Sequence, residues 1–262
     1  MERSKKSFIA ANSLDDDLKL IVSRISDMTE LCEKRLSPVF SEFLSEGEAA
    51  CAEKFLRYIC CDRYRFFGGY EGAQRVVLCV FPEYCEPEDS EYPIRLVRFD
   101  SRAAGGLSHR DYLGSLMGMG ITRNRTGDII CDINGAYAFL SPAAADMALS
   151  GIEKIGRAGV KARAADGEAV SRNDKFSIIT ASAASLRLDC IVAAAVRVSR
   201  EKAAMLIRSG AVSVNHGVIE SVSENVSEGS VLSVRGEGRF ILSEVGGVTK
   251  KNRYHITIKK YI

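Results

Sequence analysis

The stretch Ser185–Val214 constrains the fold of this chain most, because its apolar residues follow two successive helical periods and then the period of a strand. The apolar face of the first helix consists of Leu188, Ile191, Val192, Ala195 and Val196, and that of the second consists of Ala203, Leu206 and Ile207. Ser199 stands where the second helix needs an N-cap, and Gly210 follows its end, where a left-handed residue is expected. The pattern predicts two short packed helices and then a half-buried strand at Val212–Val214.

Basic side chains occupy the remaining surface of this helix pair: Arg187, Arg197, Arg200, Lys202 and Arg208. They could form an ordinary solvated helix face, or a face that binds phosphates; the scarcity of interleaved carboxylates favours the second interpretation. From Thr180 onward the chain contains 12 basic and 7 acidic residues, a net charge of +5, whereas the net charge of the rest of the chain is −3. Because Arg187, Arg200 and Lys202 flank the apolar seam without belonging to it, we expect them to contribute little to folding.

Three motifs here, L-R-L-D, S-R-E-K-A and I-R-S-G-A-V-S-V-N, occur in the order typical of the S-four-type RNA-binding domain, which the chain resembles from about Ser185 to Val234. The tail RGEGRFILSEVGGVTKKNRYHITIKKY resembles the YlmH family, bacterial proteins with this domain at the C-terminus. Two positions depart from the domain's usual pattern: Ser230, where Asp is common, and His216, which is atypical of the turn it occupies.

The resemblance implies that the helix pair and the following loop bind structured RNA. Phosphate contacts are expected from Arg187, Arg200, Lys202 and Arg208, and a second basic loop from Lys250, Lys251 and Arg253. Ser199 and Asn215 are expected to position these elements and to form hydrogen bonds with RNA. The resemblance also implies association with the large ribosomal subunit, with ribosomal RNA or tRNA as partners. It implies a role in rescue of stalled nascent chains and translation quality control, with a link to cell division.

Composition predicts a cytoplasmic protein without a metal or a cofactor. The eight cysteines include no C-x-x-C pair, and none of the three histidines lies near a cysteine pair. Reduced thiols are therefore expected. No apolar run approaches the ~18 residues that span a bilayer, and no feature indicates a small-molecule substrate.

The N-terminal residues 1–70 are predicted to form a helical module within an α+β protein. A helical stripe runs from Leu14 to Cys32, with Ser13 expected as its cap. Ser37-Pro38 predicts a further short helix, because proline suits the first helical position. Ser45 and Glu48 predict a capping box for the next helix.

Residues 71–165 are predicted to form a ferredoxin-like domain, with 166–179 as a polar linker and 180–262 as an RNA-binding domain that folds by itself. Val76–Phe81 reads as a strand buried on both faces, and from Ile94 the order is βαββαβ, as in RNA-recognition domains. Asn134-Gly135 predicts a hairpin turn. Tyr137 and Phe139 share one face of a strand, where they could stack on bases or pack in the core. His109 and Arg110 are expected to start a helix and are secondary candidates for RNA contact.

Two motifs imitate catalytic sites but lack the residues that the chemistry needs. His109-Arg110-Asp111 has Leu116 where a kinase loop needs Asn. Arg187-Leu188-Asp189 resembles a pseudouridine-synthase strand, yet Asp189 opens an amphipathic helix. The sequence therefore predicts a non-catalytic RNA-binding protein. The alternatives are an RNA-modifying enzyme that docks through its C-terminal domain and a protein-interaction adaptor linked to cell division.

Overall fold

The computed structural model describes residues 4–12, 14–101, 107–170, 176–215, 217–248 and 253–261. They combine helices and sheets in two compact units, residues 1–172 and 173–262, and this confirms the predicted α+β class. The helices are α1 (Lys5–Asn12), α2 (Asp16–Arg35), α3 (Glu46–Tyr58), α4 (His109–Gly118), α5 (Pro142–Gly151), α6 (Leu188–Val196) and α7 (Arg200–Arg208). The strands of the first unit are β1 (Val39–Leu44), β2 (Tyr64–Phe67), β3 (Val76–Val80), β4 (Arg95–Ser101), β5 (Thr126–Asp132), β6 (Gly135–Leu140), β7 (Lys154–Ile155) and β8 (Ala158–Ala164). Those of the second are β9 (Phe176–Ala183), β10 (Val212–Val214), β11 (Gly217–Val218), β12 (Val231–Val234), β13 (Gly238–Val248) and β14 (Tyr254–Tyr261).

The N-terminal helices form where the apolar periods predict them. α2 buries Ile21, Val22, Ile25 and Cys32. The carboxylate of Asp15 caps it by accepting the Leu18 N–H at 2.8 Å, whereas Ser13, the expected cap, lies outside the described residues. The predicted capping box of α3 is present between Ser45 and Glu48.

The prediction of a short helix after Ser37-Pro38 is wrong, because residues 39–44 form strand β1. β1 pairs antiparallel with β3, which places Val39 opposite Val80 and Leu44 opposite Val76. A proline that can begin a helix can equally precede a strand, and the partner that decides between them lies more than thirty residues further along the chain. β3 is the buried strand that the sequence predicts, but it is the centre of the sheet β1-β3-β2, so the N-terminal helices pack with a sheet of their own.

The βαββαβ order from β4 to β8 is confirmed, and the sheet has the order β5-β6-β4-β8-β7. α4 and α5 cover one face: Tyr112 and Leu116 of α4 pack in one cluster with Val97 and Phe99 of β4. The predicted Asn134-Gly135 turn joins β5 to β6. It needs glycine at 135, because a Cβ there would stand 1.8 Å from the Phe99 carbonyl oxygen.

The second unit is one antiparallel sheet of order β11-β10-β12-β13-β14-β9, with α6 and α7 packed on one face. β9 corrects the linker expected at 166–179, because it begins at Phe176 and pairs with β14 along its whole length. The sequence around β9 contains many short polar residues, and its partner β14 is the last strand described. For this reason the sequence did not indicate the strand. No helix among the described residues has the length and hydrophobicity needed to cross a membrane.

Candidate nucleic-acid interface

The helix pair α6–α7 is built as its sequence predicts. Leu188, Ile191, Val192, Ala195, Ala203 and Ile207 are buried in one cluster with the strands of the sheet. The Ser199 hydroxyl accepts the Lys202 N–H at 3.2 Å, so Ser199 is the N-cap of α7. Gly210 follows α7 with a φ of 66°, in the left-handed region expected of it. α6 ends on Arg197, a non-glycine residue with a φ of 60°. Packing therefore fixes the backbone from which the cations project.

A buried carboxylate forms hydrogen bonds with two of the arginines that are predicted to bind phosphate. The sequence did not predict this contact. Asp189 is 4 % exposed, and its side chain accepts hydrogen bonds from Nε of Arg187 at 3.2 Å and Nε of Arg200 at 2.8 Å. Burial alone raises the pKa of Asp189, but the hydrogen bonds and charges of Arg200 and Arg187 outweigh it, so the pKa lies below its ordinary value. The signal in the sequence was a carboxylate inside the apolar stretch LDCIV, between two groups of cations.

The Asp189 clamp, defined as Asp189 with Arg187 and Arg200, leaves part of each guanidinium open to solvent. The side chains of Arg187 and Arg200 are 39 % and 55 % exposed. A guanidinium has five N–H donors, and the Nε of Arg200 is the one bonded to Asp189. Its remaining donors can bind an anion such as a phosphate in a forked geometry. The clamp therefore holds cations from two helices in fixed directions.

Lys202 and Arg208 belong to the same helix pair and differ from the clamp. Both are exposed on α7, and within the described part of the chain their side chains form no ion pair. Arg208 lies in the last turn of α7, where a positive charge suits the helix dipole. These two cations are open to a ligand without first breaking an internal contact.

Asn215 forms hydrogen bonds within the protein. It has a φ of 45°, and its Oδ1 accepts the Val231 N–H at 2.9 Å while its own N–H donates to the Val231 oxygen at 2.8 Å. This pair of bonds fixes the turn after β10, as a positioning role requires. His216 lies outside the described residues.

Of the second basic loop, the structure describes Arg253 alone; Lys250 and Lys251 lie outside the described residues. Arg253 donates from Nε to the Ser182 hydroxyl at 3.1 Å and from Nη2 to the Ser182 carbonyl oxygen at 2.7 Å. Its guanidinium is thus tied to β9.

The two aromatic candidates on β6 differ in exposure. Phe139 is 3 % exposed and stacks on Tyr70 with ring centroids 5.0 Å apart, so it belongs to the core of the first unit. Tyr137 is half-buried, with the Arg98 guanidinium carbon 4.5 Å from its ring centroid and its hydroxyl donating to Glu168 at 2.9 Å.

A network of opposite charges surrounds Tyr137. Arg98 is 4 % exposed and donates to both oxygens of Asp132, at 2.5 and 3.0 Å, and to Asp100 at 2.9 Å. Arg163 pairs with Asp100 and with Glu168. Three carboxylates for two guanidinium groups make this part of the sheet an unfavourable surface for phosphate. His109 and Arg110 are exposed in the first turn of α4.

The described residues contain no group of three or more His, Cys, Asp or Glu side chains that could hold a metal ion.

Two family models match the chain. The family described as "Putative RNA-binding domain in YlmH" matches residues 87–168, which include β4–β8, and the S4 domain family matches residues 186–232, which include α6 and α7. With the helix pair and its clamp, these matches define the class as an RNA-binding protein with an S4 domain.

The chain belongs to the YlmH family. It is 34 % identical over 205 residues to the "Ribosome-associated protein quality control protein P2" of Bacillus subtilis (strain 168), covering 74 % of this chain and 77 % of that relative. A solved structure, "Cell division protein ylmH from Streptococcus pneumoniae", aligns with a TM-score of 0.52 at 17 % identity, over 58 % of this chain and 93 % of that one. At that identity the alignment shows a shared fold.

Proposed function

We propose that this protein binds structured RNA without catalysing a reaction on it, using the Asp189 clamp together with Lys202 and Arg208 as its phosphate-binding face. The observation that carries the proposal is the clamp, because it holds the guanidinium groups at the starts of α6 and α7, and two exposed cations lie further along α7. Cations that the fold holds in fixed directions, with N–H donors open to solvent, can match the phosphate positions of a structured RNA. The cations of a mobile charged tail have no such fixed arrangement.

The RNA is proposed to be ribosomal RNA or tRNA on the large ribosomal subunit, in translation quality control in the cytoplasm. Support comes from the relative in Bacillus subtilis, whose name describes a ribosome-associated protein of quality control. The positive charge concentrated after Thr180 provides the electrostatic attraction that such binding requires.

The test uses the two exposed cations rather than the clamp. Lys202→Glu with Arg208→Glu should reduce co-sedimentation with ribosomes and leave the melting temperature nearly unchanged, because neither side chain pairs within the described chain. Each lost phosphate contact lowers the slope of log affinity against log salt by about 0.7–0.9, so the double variant should flatten it by roughly one to two units.

The matched control is Lys6→Glu with Arg35→Glu, which makes the same change in net charge at exposed positions outside both matched family ranges. Equal loss in both double variants would mean that net charge, and not the helix face, drives the binding. Unchanged sedimentation of the α7 variant would remove this face from the proposal.

The non-catalytic part has its own test. Neither matched family is described as catalytic. Mass analysis of nucleosides from RNA incubated with the protein should show no new base; methylation would contradict the proposal, as would isomerised uridine detected after chemical derivatisation.

A further inference from the structure

The sheet of the second unit has a second face that the helix pair does not use. Side chains alternate across a strand, so Phe240, Leu242, Ile256 and Ile258 point towards α6 and α7 and are buried with them. Their neighbours on β9, β13 and β14 point the other way. This outer face carries an aromatic–cation patch, defined as Phe176, Ile178, Arg239, Ile241, Lys259 and Tyr261.

Strand register brings the patch together. Tyr261 lies opposite Phe176, and Lys259 lies between Ile241 on β13 and Ile178 on β9. The two rings are 4.9 Å apart between centroids, at an angle of 60°. Ile178 is 64 % exposed, so the patch presents apolar surface to solvent together with the two rings.

Each ring of the patch has its own cation. The Arg239 guanidinium carbon is 5.3 Å from the Tyr261 ring centroid, and Lys259 Nζ is 5.6 Å from the Phe176 ring centroid. Such cation–π contacts hold the charges over the rings at the surface. Aromatic rings flanked by cations on an open sheet are the elements with which proteins bind unpaired nucleotides: bases stack on the rings and phosphates approach the cations.

We propose that the aromatic–cation patch binds unpaired nucleotides of RNA, as a second RNA site on the sheet face opposite α6 and α7. The proposal rests on the proposed function in that both take RNA as the ligand. The site is separate from the helix pair, and its residues Phe176, Arg239, Ile241, Lys259 and Tyr261 lie outside both matched family ranges. Charge selects RNA over an apolar protein partner, because both rings have cations over them.

The experiment measures fluorescence anisotropy of the full chain with three probes: a flush RNA hairpin, the same hairpin with an eight-nucleotide single-stranded tail, and that single strand alone. The tail should tighten binding to the wild-type protein. Phe176→Ala with Tyr261→Ala should abolish that gain and weaken single-strand binding roughly five- to a hundredfold for each ring removed, with the flush hairpin unaffected. Thr180→Ala with Thr257→Ala is the matched control, because it truncates side chains on the same sheet face away from the rings.

The outcomes separate the two sites. Lys202→Glu with Arg208→Glu should weaken the flush hairpin and keep the gain from the tail. If the wild-type protein binds the single strand but not the flush hairpin, the proposed function fails and the patch stands. A gain from the tail that survives the aromatic double variant, or the absence of any gain, would overturn the patch. So would sedimentation velocity showing that this variant abolishes self-association while its binding of every probe is unchanged.

Discussion

At the scale of single residues, Asp189 gives two cations of the basic face a role in the stability of the fold. The sequence predicts cations that flank the apolar seam and contribute little to folding, yet Arg187 and Arg200 satisfy a carboxylate that is 4 % exposed. Reversing their charge would place two carboxylates beside a buried third one. The clamp cations are therefore part of the fold as well as of the candidate interface.

Asp189→Asn tests the positioning role of this carboxylate. The variant makes the face more positive by one charge, so simple attraction predicts tighter RNA binding. We expect weaker binding, because Arg187 and Arg200 lose the acceptor that orients them. Glu201→Gln makes the same charge change at an exposed position of α7 and should not weaken binding. Tighter binding by Asp189→Asn would contradict the positioning role.

The same variant should alter the dependence of stability on pH. Because the pKa of Asp189 in the fold lies below its ordinary value of 3.8, the carboxylate stabilises the protein above about pH 4, and this contribution disappears as pH falls through the lowered pKa. Asp189→Asn should cost about 1.5–3 kcal/mol at pH 7, the range for hydrogen bonds to charged groups. Chemical denaturation at pH 7 and at low pH should show the difference shrinking in acid; a difference that is constant with pH would contradict this.

At the scale of elements, β9 decides where the second unit begins. Phe176–Ile179 pair with Ile258–Tyr261, and Ile179 is buried in the core. A fragment that starts at Thr180, the boundary expected from composition, would leave half of β14 paired with β13 alone, without β9 on its other edge.

We therefore expect a fragment of residues 173–262 to fold cooperatively and one of residues 180–262 to melt at a clearly lower temperature or not to fold. The causes are the lost backbone pairing and the loss of the Ile179 side chain from the core. Circular dichroism melts of the two fragments make the comparison. Equal melting temperatures would mean that the first half of β9 contributes nothing.

At the scale of the whole molecule, buried polar groups join the N-terminal sheet to the ferredoxin-like sheet within the first unit. Arg75 donates to the carbonyl oxygens of Thr126, Phe43 and Arg123, at 2.8, 3.2 and 3.0 Å. Burial and the charge of Arg123 lower the pKa of Arg75 to about 10, so it stays cationic at neutral pH. Asp128 accepts the Tyr70 hydroxyl at 2.7 Å and the Arg75 N–H at 3.1 Å.

Arg75→Met should destabilise the first unit by about 3 kcal/mol, because it leaves buried carbonyl oxygens without donors. Arg110→Met, at an exposed position of α4, is the control and should change stability by less than about 0.5 kcal/mol. Urea denaturation measures both, and equal effects would show that the buried donors do not stabilise the unit. We also predict that residues 71–165 do not fold alone, because Leu96 and Phe139 share a buried apolar cluster with Phe43 of β1.

The sequence by itself determined the features that depend on neighbours along the chain. The helix faces of α2, α6 and α7, the caps at Ser45 and Ser199, and the Asn134-Gly135 turn follow from residues a few positions apart. The motifs after Ser185 were distinctive enough to indicate the family to which the comparisons assign the chain. Tertiary structure alone decided β1 and β9, the burial of Phe139 on Tyr70, and the joining of Asp189 to Arg200. In each of those cases the deciding partner is distant in sequence or on another element, and no local pattern of apolar and polar residues encodes which distant groups will meet.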